Sequence, residues 1–167
     1  MAVLVASSSV VLLVIVATAV FWWRAARWDG AHLAGPAALA FGSGLVTAGL
    51  GAGHLVGVAI TEFRRRVPEY YTFRVYALGL LGVVLVTLGT RLVISAIGVA
   101  RGQASAWRNA FTAEVVLLLL ILPLAYIDAF AVALSIFASI GLASLLVIRL
   151  RTALSKRAIA LAGRATG

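Results

Sequence analysis

Long apolar runs alternate along this chain with short segments that hold most of its charge. Residues 2–23, 36–60 and 75–99 are each long enough to cross a hydrocarbon core as a helix, which takes roughly 20 apolar residues. The connection after the first run carries Arg24, Arg27 and Trp28. The connection after the second, residues 61–74, is the most polar stretch and holds Phe63, Arg64, Arg65, Arg66, Tyr70, Tyr71 and Phe73. A shorter one with Arg101 and Arg108 follows the third run.

The last apolar run, residues 110–150, is too long for one ordinary crossing and barely long enough for two. Pro123 lacks a backbone donor and kinks or ends a helix, and Asp128 is suited to cap a new helix beginning at Ala129. The pattern predicts an all-α, polytopic bundle of five spans, with the last two at about 109–125 and 129–150. The alternative is four spans with one long, kinked last helix, and such a helix of about forty residues would be about 60 Å long. Basic residues do not separate the two topologies. Five spans with the N-terminus outside collect Arg24, Arg27, Arg101, Arg108 and the tail inside; four spans with it inside collect Arg64, Arg65, Arg66, Arg74 and the tail. Either way the C-terminal tail is expected in the cytoplasm of a cell-membrane protein.

Composition agrees: 63% of the residues are hydrophobic, against about 45–50% in soluble domains. The chain reads as one integral-membrane domain, 1–167, with a basic tail over 150–167 of amphipathic pattern that suits anionic lipid at the surface. The net charge of +9 flanks the apolar runs, so it reads as topology signal and headgroup contact, with no nucleic-acid partner implied. The first run has no basic segment before it and ends in Trp22 and Trp23, as a retained helix does and a cleaved signal peptide does not. Absence of cysteine excludes disulfides, thiolate metal sites and iron–sulfur clusters. Arginine dominance with abundant alanine, glycine and valine suits a GC-rich prokaryotic genome.

Few residues inside the spans carry chemistry. Arg91 lies deep in the third span, where a charge needs a partner; at a similar depth in the next span stands Glu114, so an Arg91–Glu114 ion pair is expected. Thr87 and Ser95, one turn to either side, extend a polar stripe toward it. Gly49, Gly53 and Gly57 form a doubled GxxxG ridge along which another helix backbone can approach, and Ser135, Ser139 and Ala143 offer a matching small-residue face. His54 stands beside this ridge, in a setting where a flat haem b could reach the backbone; His32 is too far along the chain to be a second ligand from the same helix. Arg64, Arg65, Arg66, Tyr70 and Tyr71 are interface anchors or a surface for a partner. The glycine-rich span followed by Arg66, Val67, Pro68 and Glu69 resembles the hairpin of rotor-ring proteolipid subunits. That family needs an ion-binding carboxylate in the next span, where this chain has Val83, Val84 and then Arg91, so the family is not assigned.

No catalytic constellation, metal motif or P-loop is evident, so no enzyme and no cofactor is expected. The expected role is a small non-catalytic subunit of a larger membrane complex, such as a prokaryotic respiratory or other energy-transducing assembly. It would act by helix packing against other membrane subunits or copies of itself. The alternatives are a haem b- or quinone-associated subunit using His54, and a homo-oligomeric transporter or channel with Arg91 and Glu114 in its path.

Overall fold

The computed structural model describes residues 2–28, 31–63, 69–125, 136 and 138–149, with the backbone alone for residues 2–11, 31, 61–63, 69–74, 124 and 125. Nearly all of these residues are helical, with no strand among them. Helix α1 spans Ala2–Ala25, a short 3-10 turn Ala31–Leu33 leads into α2 at Ala34–Phe63, and α3 and α4 follow at Glu69–Ala100 and Ala104–Ala125. A further apolar helix, α5, covers Ala138–Arg149. Ala34–Ile60, Val75–Ala100 and Ala104–Pro123 are long and apolar enough to cross a membrane. Helix is the form that satisfies backbone donors and acceptors within one segment where no water is present.

Large apolar side chains point outward along the helices: Leu13 is 68% exposed, Leu80 69% and Leu119 68%. Apolar surface on this scale does not suit water. The inward faces are small. Ala37, Ala40, Ala96, Ala110 and Ala113 are almost fully buried, with Leu92, Leu117 and Leu145 filling between them. The result is a membrane-embedded helical bundle whose backbones lie close together.

Several boundaries differ from those expected. Helix α4 begins at Ala104, not near residue 109, and Pro123 sits within its last turns. The expected loop 61–74 is largely helix, because α2 continues to Phe63 and α3 starts at Glu69. Asp128, Ser135, the arginines 64–66 and the tail 150–167 lie outside the described residues.

Successive helices pack antiparallel. Phe21 of α1 stacks on Phe41 of α2 with ring centroids 4.3 Å apart. Between α2 and α3, a Cβ added at Gly44 would lie 2.7 Å from the Gly89 carbonyl oxygen, and one at Gly51 would lie 2.6 Å from that of Gly82. Glycine at these positions lets the two backbones touch. The α3–α4 turn closes as a Schellman motif: Gly102 has φ 74°, Gln103 N donates to Gly98 O at 2.9 Å, and Gly102 N donates to Val99 O at 2.9 Å. Helix α5 runs back along α4. Trp107 Nε1 donates to Leu145 O at 3.1 Å, and seven residues further along α4, Glu114 faces Gly141.

Candidate functional site

Glu114 sits on the buried stripe of α4 formed by Ala106, Ala110, Ala113, Leu117 and Ile121, and it is fully buried itself. It lies ten residues into α4, a depth of about 15 Å, near the middle of a hydrocarbon core about 30 Å thick. Three helices meet there. Ser43 Oγ of α2 donates to Glu114 Oε2 at 3.3 Å. Thr47, one turn along, is buried and donates to Ser43 O at 2.7 Å. Gly141 of α5 makes the room: a Cβ there would lie 2.7 Å from Glu114 Oε1. That oxygen is buried and has no hydrogen-bond partner among the described residues. A buried polar group without a partner is costly, which singles out this carboxyl group as the candidate site.

The expected Arg91–Glu114 ion pair does not form. Arg91 is exposed, and its Nη2 donates to Asn109 Oδ1 at 3.4 Å. Asn109 is about 7.5 Å nearer the α3–α4 turn than Glu114, at 1.5 Å per residue. The buried stripe of α3 passes through Leu85, Leu92, Ala96 and Val99, and Arg91 lies off it. An arginine on an outward face extends toward the polar boundary, whereas Glu114 points into the bundle. The polar stripe divides in the same way: Ser95 is buried, while Thr87 is exposed and bonds its own helix at Val83 O, 2.8 Å away.

His54 is half-buried against α3, near Gly82. Its Nδ1 lies 2.8 Å from Leu50 O. A carbonyl only accepts, so in this contact Nδ1 is the donor. His32 is exposed in the 3-10 turn, at the opposite end of α2. No group of three or more potential metal ligands comes together among the described residues.

The glycine ridge of α2 is divided between two faces. Gly44 and Gly51 hold α3, but a Cβ at Gly49, Gly53 or Gly57 would meet nothing within 4 Å. All three are exposed, together with Ala52, Val56 and Ile60. Of the small-residue face expected to meet this ridge, Ser139 and Ala143 are exposed on α5, whose inward face is Ala138, Gly141 and Leu145. Tyr70 and Tyr71 fall in the first turn of α3.

Among the described side chains, arginines gather at one end of the bundle. Arg24, Arg27, Arg101, Arg108 and Arg149 collect where α1, α3 and α5 end and α2 and α4 begin. Tryptophans accompany them: Arg27 lies 3.6 Å from the Trp23 ring centroid, Arg101 lies 5.4 Å from that of Trp28, and Arg149 lies 4.9 Å from that of Trp107. Such pairs form the basic and aromatic belt found at membrane boundaries.

Neither Ser43 nor Gly141 was anticipated as a neighbour of Glu114. The alanines spaced three and four residues around Glu114 place it on a small, inward helix face and could have revealed its burial. Nothing comparable marks its partners, which come from distant parts of the chain. No protein-family profile, curated protein or solved structure matches this chain.

Proposed function

We propose that this protein is a non-catalytic helical subunit of a membrane assembly, held there by the outward face of α2 against a helix of another subunit. One observation carries this reading: Gly49 and Gly53 are exposed, with nothing among the described residues in reach of a Cβ at either position. Glycine in a lipid-facing helix contributes little contact with acyl chains. Against a second helix it allows close backbone approach and good van der Waals packing. The chain's own helices use the other glycines, Gly44 and Gly51. Continuation of the same face through Val56 and Ile60, both exposed, supplies apolar flanks for the contact.

The topology that goes with this reading has five crossings, with the arginine-rich end and the C-terminal tail in the cytoplasm. It is supported by the antiparallel course of α4 and α5 and by the collection of Arg24, Arg27, Arg101, Arg108 and Arg149 at one end. The transporter reading draws on a different feature, the buried Glu114 carboxyl group with one unpartnered oxygen. It is the second choice, because Arg91 does not share that site.

Substitution of Gly53 by Leu separates the two readings. A Cβ there meets nothing within 4 Å among the described residues, so the subunit should fold and insert as before. Native mass spectrometry after mild detergent extraction from the source membrane should show wild type carrying other polypeptides and Gly53→Leu losing them. Wild type recovered as a symmetric assembly of this chain alone would overturn the subunit reading and favour the transporter.

A further inference from the structure

A groove of about 320 Å³ opens between α3 and α4 near their turn, lined among others by Ile94, Ser95, Arg101, Gln103, Ser105 and Asn109. It is separate from the Glu114 site and from the open face of α2. Arg91 borders it, because its guanidinium is hydrogen-bonded to Asn109 at the groove wall. Both arginines are exposed, as are Gln103, Ser105 and Asn109. No acidic residue lines the groove among the described residues.

The position of Arg91 sets a physical problem. It lies nine residues, about 14 Å, from the end of α3 at Ala100, on a face turned toward lipid. Its side chain carries the guanidinium to Asn109, five residues or about 7.5 Å into α4, where a charge on a lipid-facing surface still needs an anion or water beside it. Among the described residues the groove supplies no anion: the partner of Arg91 there is a neutral amide oxygen at the long distance of 3.4 Å. Arg101 adds a second positive charge at the mouth. Between and beside the two stand hydroxyl and amide groups able to bond to ester and glycerol oxygens. Ile94, 65% exposed, provides an apolar wall directed toward the acyl region.

We infer that this groove is a binding site for an anionic glycerophospholipid, with its phosphate between Arg91 and Arg101 and its acyl chains running down past Ile94. Charge complementarity supports this occupant. The phosphate neutralises the lipid-facing Arg91, and planar guanidinium groups pair well with phosphate oxygens. Basic pockets between helices at the more positive face of a membrane protein take anionic headgroups in the same way.

The test uses the purified full chain in detergent, titrated with phosphatidylglycerol or phosphatidylcholine, with bound lipid counted by native mass spectrometry. Wild type should retain phosphatidylglycerol in preference. Arg91→Gln should weaken that retention about fivefold, in keeping with one arginine at an anionic headgroup. Ser105→Trp fills the groove at an exposed position without changing charge, and should abolish the preference even if Arg91→Gln proves hard to purify. Arg108→Gln removes an arginine from the same end but outside the groove, and should leave the preference intact. Equal losses in Arg108→Gln and Arg91→Gln would overturn the site in favour of diffuse surface charge. An unchanged preference in Ser105→Trp would also overturn it. Displacement of the bound lipid by millimolar inorganic phosphate would show a site for free phosphate and not for lipid.

Discussion

Glu114 and Gly141 are complementary in shape, and the complementarity can be measured. The carboxyl group occupies the volume that a side chain at position 141 would need, with Oε1 2.7 Å from the position of an added Cβ. Gly141→Ala should lower stability by about 1–3 kcal/mol, the usual cost of overpacking, seen as a fall in the detergent unfolding midpoint. In a Glu114→Ala background the same change should cost much less, because the clashing atoms are gone. Equal costs in the two backgrounds would refute direct packing of these residues. Arg91 follows a different logic: its length lets it leave the depth of its own Cα, so matching residue depths between neighbouring helices did not predict its contact.

At the scale of the helix, the two glycine sets of α2 make opposite predictions although they interleave in sequence. The first set is closed by Gly89 of α3, where a Cβ would strike Ala48 N and lie 2.6 Å from Gly44 O, so it cannot fit without separating α2 from α3. Gly89→Ala should therefore destabilise the purified protein by about 1–3 kcal/mol. Gly49→Ala should leave its unfolding midpoint unchanged, since open space surrounds that position. If Gly49→Ala were as damaging as Gly89→Ala, the helix would be rotated from the orientation described. GxxxG spacing predicted that α2 would be approached closely, but not by which neighbour. The spacing of Gly49, Gly53 and Gly57 is more regular than that of Gly44 and Gly51, yet α3 packs on the less regular pair.

For the molecule as a whole, the decisive measurement is the side of the membrane reached by each end of the bundle. The native chain has no cysteine, so single cysteines can be introduced without background. With five crossings, Arg66→Cys and Lys156→Cys should react with an impermeant maleimide from opposite sides. Reaction from the same side would require the four-crossing arrangement.

Helical class, membrane residence and the approximate positions of the second and third spans were legible from hydropathy alone, because a helix must hide its backbone polar groups wherever water is absent. The Schellman turn at Gly102 occurs within the short connection expected between the third and fourth runs. Polar loop 61–74 was misread because charged and aromatic residues are as compatible with helix ends as with loops, and α2 and α3 extend into it. Partnership was the part that one-dimensional pattern could not supply. The hydrogen bond between Ser43 and Glu114 joins residues 71 positions apart, and the depth argument that paired Glu114 with Arg91 contained no rotational phase. Each residue of an α-helix turns its side chain by about 100°, so depth alone leaves the face undecided. Sequence by itself determined that this chain lies in a membrane as helices and which residues are too polar to be idle there. Only the packed bundle decided that Glu114 turns inward to Ser43 and Gly141 while Arg91 turns outward to Asn109, because that choice depends on how neighbouring helices are rotated against one another.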